Sequence, residues 1–533
     1  MALGGQPGTS TPGAPAIAER PRVKRSLRGS LPLRAGDVLL YRVCEDLTEV
    51  LIYGMVVFGP WAFGTTQPWS IWLMNGAGYL AGLLLACKLA IRWLKGYCPP
   101  RWDTRPPLPP GGLSGPRSAA AWLTGTLAAL TAAILAYCLL SALNARSTYD
   151  PNLLSFIYFK HCILWLPHSF DSVRTWSAFW MYLGLAGSFW AVRDWLLGKA
   201  EGEGRLQRHQ PRSGGNAHAP LLPARLRRLL WVLAVNGGLL GAEGIAQRLE
   251  GSGRLLFAVK PHVNPGADTQ FGPYAYRANA SQFFNLLWPV CLGFWWTLNR
   301  AVGFRRITYH LILLCCLIMA ACPIISTSRA GAFITVGIVV LAALVLTLSH
   351  FLMGAREQES RQARALTLAC LLAFFAGALA LGFALGWKAL KPRMAQLGEG
   401  FEFREQMYEA ARPMAADYPL YGTGPATFET VFQLYRISTD TYWPAQLHND
   451  WLETRITFGW VGSGLIALAL VSVVLRWFAR GGIHGGRRFI ILIWLALAGC
   501  LLHARYDFPF QIHSIVFLFL VICAILSCLT RRP

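Results

Sequence analysis

Charge is scarce in this chain, and acid is scarcer still. Only 14% of the 533 residues are Asp, Glu, Lys or Arg, with 26 acidic side chains against 49 basic ones. A soluble globular domain carries about a quarter charged residues, so a water-facing surface over the whole chain is excluded. Metal- and nucleotide-driven chemistry lack their usual sequence patterns as well. No Walker motif, nucleophile elbow, HExxH or paired-acid metal motif stands in the polar stretches. The thirteen cysteines include no CxxC pair and no Cys/His cluster with zinc spacing, and most lie inside apolar runs. No metal, no cofactor and no disulfide framework is therefore expected. The first 35 residues lack an apolar h-region and are rich in Gly, Pro, Ser and Arg. They read as a disordered cytoplasmic tail, ending by residue 46, and not as a signal peptide. No internal repeat is visible.

What the chain has in abundance is apolar length. Hydrophobic residues make up 54% of it and the mean hydropathy is +0.40. A membrane-spanning helix needs ~20 mainly apolar residues. Such windows fall at 47–64, 70–94, 119–143, 176–197, 229–249, 280–299, 307–325, 331–353, 366–387, 455–475, 488–502 and 512–529. The reading is an all-α polytopic membrane protein with about twelve transmembrane helices spanning 47–529. With the N-terminus inside, the inner segments hold 33 of the 49 Lys and Arg, and every inner loop is basic. One missed span would invert every later loop, so this regularity supports twelve and puts both termini in the cytoplasm. It also assigns the net charge of +23 to topology and membrane lipids, with no nucleic-acid partner. Residues 200–222 read as a flexible inner linker.

The outer face then receives the largest polar insert, a loop over 388–454 between the ninth and tenth helices. Four small clusters share that face. PYAYRANASQFF (273–284) contains Arg277 and Asn279, and STSRAGAF (326–333) puts Arg329 in a tight turn. LHNDWLE (447–453) holds His448, Asn449 and Asp450, and HARYDFPFQIHS (503–514) holds Arg505 and Asp507. Arginine between two spans is costly unless it reaches the interface or meets an anion, and its planar fork of donors matches phosphate oxygens. Converging arginines at an outer membrane face suit a lipid-linked diphosphate. A snorkelling anchor is the competing reading for Arg505 and Arg329, helix capping for His448, Asn449 and Asp450, and a hydrogen-bonded bundle residue for Glu243. Within the loop, Phe403, Met407, Ala410 and Met414 share a helical face, which predicts an amphipathic helix resting on the membrane. PLYGTGPATF (419–428) is a glycine-punctuated loop able to bring backbone N–H groups close to a ligand.

The order of these motifs resembles the O-antigen ligase/O-antigen polymerase superfamily. The FR-containing outer helix, DYPLYGTGPATF, and HNDWLE followed by FGWVG are similar to its signature loop. STSRAGAF, ARYDFPFQIHS, FGPYAYRANASQF and LPHSFD (166–171) resemble further segments, over roughly residues 150 to 515. The sequence departs from the pattern at Tyr276 and Ala278, which flank Arg277, and at Trp451. The resemblance implies a GT-C-like bundle in the bacterial inner membrane and a metal-independent, inverting glycosyltransferase with a periplasmic active site. The donor it implies is an undecaprenyl-diphosphate-linked glycan. The acceptor is lipid A core for a ligase, or another lipid-linked repeat for a polymerase of lipopolysaccharide or exopolysaccharide. On that resemblance Arg277 and Arg329 hold the diphosphate, and His448 orients or deprotonates the acceptor hydroxyl. Asn279, Asn449 and Asp450 shape the substrate site, with Arg505 and Asp507 supporting. A transporter or flippase of lipid-linked glycans, or glycan transfer to protein, is the alternative.

Overall fold

The computed structural model describes residues 31–103, 119–200, 203, 222–302, 307–353, 361–436, 444–479 and 482–530. The protein is an all-α, multi-spanning membrane protein. Every predicted window falls on a helix. These are α1 (Ala35–Trp61), α2 (Pro68–Leu94), α3 (Ala119–Leu143), α4 (Ser172–Leu197), α5 (Ala224–Glu250), α6 (Arg277–Val302), α7 (His310–Ile325), α8 (Arg329–Met353) and α9 (Arg361–Ala395). After α10 (Leu397–Asp417) and the short α11 (Phe428–Val431) come α12 (Asp450–Arg476), α13 (Arg487–His503) and α14 (His513–Cys528). Among the described residues, six helices are long and apolar enough to cross a membrane: α2, α3, α5, α8, α9 and α12. The apolar α7 and α14 are shorter.

Helix ends outrun the apolar windows wherever polar side chains find partners. α1 begins at Ala35, because Asp37 accepts from the Arg34 N–H at 2.9 Å and pairs with Lys95 at 3.6 Å. Residues 35–46, expected within the tail, are therefore helical, while residues 1–30 of that tail lie outside the described residues. So does the 200–222 linker, apart from residues 200, 203 and 222. α9 runs on to Ala395, past its predicted end at 387.

One end of the bundle is fastened by ions. Lys88, with a fully buried side chain, sits 3.0 Å from Glu45 and 2.9 Å from Asp194. Arg92 and Arg101 reach the same Asp194 at 2.8 Å each, and Arg225 pairs with Glu45. The network ties α1, α2, α4 and α5 together. Removing one partner of a buried ion pair leaves uncompensated charge and costs about 3–5 kcal/mol. Asp194→Ala strips three cations of a shared acid, so a clear drop in the melting temperature of the detergent-purified protein is expected. Lys88→Met is expected to cost less, since Glu45 keeps Arg225 and Asp194 keeps two arginines. Both ends of the described chain lie at this pole, because Cys528 at the close of α14 donates to the Arg193 carbonyl at 3.6 Å.

The opposite pole is stitched by backbone. α12 breaks at Gly459, whose φ of +59° lies in the left-handed region that favours glycine. The break frees the Ile456 and Thr457 carbonyls, which accept from the N–H groups of Thr423 (2.9 Å) and Gly424 (3.0 Å). In return Trp460 and Val461 donate to the carbonyls of Pro419 and Leu420 at 2.9 and 3.1 Å. The glycine-punctuated loop thus spends these N–H groups on α12 and does not offer them to a ligand, contrary to the sequence expectation. The 166–171 segment clamps it from the other side, with Phe170 N–H donating to Thr423 at 3.0 Å. Met407, Tyr408, Ala411 and Met414 of α10 pack with Phe170, Phe428 and Ile456 in a small core of their own. The predicted stripe is therefore turned: Phe403 is exposed, and the buried face meets protein, which fills it more fully than the membrane surface would.

Candidate active site

The residues singled out from sequence gather at this second pole. His448 lies in the turn before α12 with φ +56°, an uncommon conformation for a side chain of its size. Four contacts impose it. Tyr408 donates its hydroxyl to the His448 carbonyl at 2.8 Å, and Leu447 N–H donates to Glu453 at 2.8 Å. Asn449 caps α12 by accepting from Leu452 N–H at 3.2 Å, and Asp450 N–H reaches the Ala504 carbonyl at 2.8 Å. Asp450 is itself buried, accepting from Phe510 N–H at 2.7 Å and Gln511 at 3.4 Å. Asn449 and Asp450 thus knit the His448 turn to the segment after α13.

That segment supplies His448 with its partner. His448 Nδ1 stands 3.0 Å from Asp507 Oδ1, and Asp507 is buried. A carboxylate accepts, so Nδ1 carries the proton, and in neutral imidazole the lone pair is on Nε2. No described residue bonds Nε2. Tyr276 donates to Asp507 Oδ2 at 3.3 Å, and its ring stacks on Phe508 with centroids 5.5 Å apart. Phe508 in turn meets the imidazole edge-on at 4.8 Å. Burial pushes the Asp507 carboxyl up, but the hydrogen bond and charge of His448, with Arg404 and His503, hold it below the usual range. A depressed carboxyl contributes stability above its unfolded pKa of about 3.9 and loses it as pH falls through the folded value. The gap in melting temperature between wild type and Asp507→Asn is therefore expected to hold from neutral pH to ~5 and to narrow below ~4.

Arginines border this unit. Arg404 of α10 donates to the Tyr506 carbonyl at 2.6 Å. Burial disfavours its charge, yet Asp507, Tyr276 and Tyr408 outweigh that and raise its pKa. Arg329 donates Nη1 to the carbonyls of Gln396 (2.9 Å) and Arg393 (3.4 Å), closing the end of α9. Nη2 and Nε have no partner among the described residues, and the guanidinium packs against the bare face of Gly400. Thr327, two residues earlier, holds φ +62° and shapes the tight turn. Arg277 donates to Asp268, carbonyl at 2.5 Å and carboxylate at 3.3 Å. Arg329 lies within electrostatic reach of both Arg277 and Arg404. Like charges within such reach repel, and a bound anion would relieve that repulsion. Asn279 is buried on α6, with its carbonyl oxygen unpartnered among the described residues. Arg505 is exposed and lines a separate pocket beside Tyr408 and Asn449. Glu243 stands apart, against Gly272.

Sequence reasoning missed Arg404, Tyr276 and Phe508 as site residues. Arg404 lies one turn before Tyr408 on the packed face of α10, a spacing readable in FREQMYEAA. Tyr276 stands out in the sequence only as a departure from the family pattern. Among the described residues no group of three or more His, Cys, Asp or Glu side chains could hold a metal ion.

Residues 314–467 match the family model described as O-antigen ligase. The match takes in Arg329, α10 and His448 and stops short of Arg277 and Asp507. No curated protein matches the chain.

Proposed function

We propose, for a chain whose residues 314–467 match the O-antigen ligase family model, that it moves a glycan from an undecaprenyl-diphosphate donor to an acceptor hydroxyl. The reaction takes place at the periplasmic face of a bacterial inner membrane, in a bundle of about twelve spans with cytoplasmic termini. The observation that carries this reading is the pairing of the His448 imidazole with Asp507, with Arg404 in electrostatic reach of Asp507 and Arg329 in reach of Arg404 and Arg277. In the step we envisage, the acceptor oxygen attacks the anomeric carbon as the bond to the diphosphate oxygen breaks. The hydroxyl proton goes to His448 Nε2, and the lipid diphosphate leaves with the bonding electron pair. Attack opposite the leaving group inverts the anomeric centre. Charge grows on the diphosphate as the bond breaks, where fixed cations stabilise the transition state more than the ground state. Arg277 and Arg329 hold the diphosphate, and Arg404 joins them from α10. Asp507 and Tyr276 are positioning residues that act through His448. Asn449 and Asp450 fix its turn, and Asn279, two residues along α6 from Arg277, shapes the substrate site. The donor is already activated, so no nucleotide is needed, and the arginines do the work a metal would do. The acceptor is lipid A core in ligation or a second lipid-linked repeat in polymerisation.

The test is transfer by purified full-length protein from a lipid-linked oligosaccharide to each acceptor class, with His448→Ala and Arg329→Ala beside wild type. Undiminished transfer by both variants would sink the site assignment. No transfer by wild type to any acceptor would favour a transporter of lipid-linked glycans. Product length distinguishes one ligation from repeated polymerisation.

A further inference from the structure

A pocket of about 320 Å³ opens beside the His448 turn, lined by Tyr408, Arg412, Asn449, Trp451, Arg455 and Arg505 among others. Three of these are arginines, brought from α10, α12 and the turn after α13, and no acidic residue lines it. Arg455 is held in place, donating to the Pro419 carbonyl at 2.9 Å with its guanidinium 4.1 Å over the Trp460 ring. Arg412 pairs with Glu405 at 2.5 Å on the exposed surface of α10, a contact weakened by solvent. Arg505 rests 5.9 Å from the Tyr506 ring, and no described residue hydrogen-bonds its guanidinium. Trp451 is anchored by its indole N–H on the Leu501 carbonyl at 3.0 Å, yet 52% of the residue remains exposed. A fixed aromatic face beside converging guanidinium forks is the chemistry that receives a sugar bearing an anionic group.

The pocket is mechanically joined to the base. Asn449 follows His448 directly, and Tyr408 holds the His448 carbonyl at 2.8 Å. His448, Asp507, Arg277, Arg329 and Arg404 do not line it. Two clusters of cations thus flank the imidazole, one beside Asp507 and one behind the turn. We propose that the second is an acceptor subsite, taking a phosphate or carboxylate group carried on the acceptor saccharide. This rests on the transfer reading for the word acceptor, but the binding itself is measurable without turnover.

Full-length protein in detergent is titrated, with no donor present, with a hexose 6-phosphate, a hexuronic acid disaccharide, a neutral disaccharide and inorganic phosphate. Calorimetry reads the binding, and the part of the tryptophan fluorescence change that Trp451→Phe removes from a chain of 21 tryptophans is the second readout. At least one of the two anionic sugars is expected to bind roughly tenfold or more tighter than the neutral one, a bidentate charged contact being worth about 1.5–3 kcal/mol. The tighter of the two identifies the group as phosphate or carboxylate. Arg455→Gln with Arg505→Gln is expected to abolish that preference. Arg505→Lys, a surface change that keeps the charge and loses the fork, is expected to retain only part of it. Equal binding of neutral and anionic sugars, or a preference that survives the double variant with an unchanged melting temperature, overturns the proposal. Inorganic phosphate binding as tightly as the best anionic sugar means an adventitious ion only and overturns it too. A protein that shows the preference but transfers nothing refutes the transfer reading alone, and one that transfers without the preference refutes this subsite alone.

Discussion

His448→Ala is expected to lower glycan transfer by about 10²- to 10⁴-fold, the usual worth of a positioned general base. The loss should fall on kcat, because the imidazole meets the acceptor proton and makes no contact with the donor diphosphate in the proposed step. His448→Gln is the sharper variant. Its amide preserves the approximate volume and can still take a hydrogen bond, but it cannot hold a proton at neutral pH. If Gln and Ala are equally inactive with intact melting temperatures, proton transfer is the missing element. If Gln restores activity, His448 merely orients the hydroxyl. Asp507→Asn should fall between wild type and His448→Ala, since it leaves the imidazole in place but no longer demands the Nδ1–H tautomer. Its activity should be read beside its pH-dependent stability, so that a folding defect is not taken for a chemical one.

Arg329→Ala carries the second large expectation, a fall of about 10²- to 10³-fold in kcat/KM for the lipid-linked donor. The argument has two parts, because Arg329 has two jobs. Nη1 closes the end of α9 through Gln396 and Arg393, while Nη2 and Nε are unclaimed by the described protein. Alanine removes both, so a lower melting temperature should accompany the kinetic loss. Lysine keeps one cation but loses the fork, and partial recovery is expected at most. Gly400→Ala moves the guanidinium without touching its charge. A methyl group there would collide with the guanidinium and should displace it, costing about tenfold in donor kcat/KM through misplacement alone. A Gly400→Ala enzyme as active as wild type would show that the position of this guanidinium is unimportant and would leave Arg329 with only its helix-closing role.

Different parts of the protein were legible at different levels. Apolar length, the basic short loops and the order of the polar clusters are properties of the chain in one dimension. A bilayer imposes them locally, since each spanning segment must satisfy its own backbone and carry its own apolar surface. From these the all-α membrane class, the helix positions and the polar turns around Arg277, Arg329, His448 and Asp507 could all be read. Helix ends could not: α1 starts earlier and α9 ends later than their apolar stretches, because ion pairs and side-chain bonds extend helices where hydropathy is silent. The role of the glycine loop could not either. Its N–H groups belong to α12 only because Gly459 breaks that helix and frees two carbonyls, an exchange between segments far apart in sequence.

Tertiary structure alone decided which polar residues meet. Asp507 reaches His448 from 59 positions further along the sequence, and Tyr276 arrives from a third segment to hold Asp507. Arg404 joins the cluster because α10 turns its Tyr408 face onto the bundle, while Arg505, from the same short segment as Asp507, lines a pocket that neither His448 nor Asp507 borders. Such pairings depend on packing and on where each backbone donor finds its acceptor, and neither leaves a period or a spacing to read. The amino-acid sequence determined that this protein lives in a membrane and which of its turns are polar. Folding decided that one of those turns holds an imidazole on a buried carboxylate, with cations on both sides.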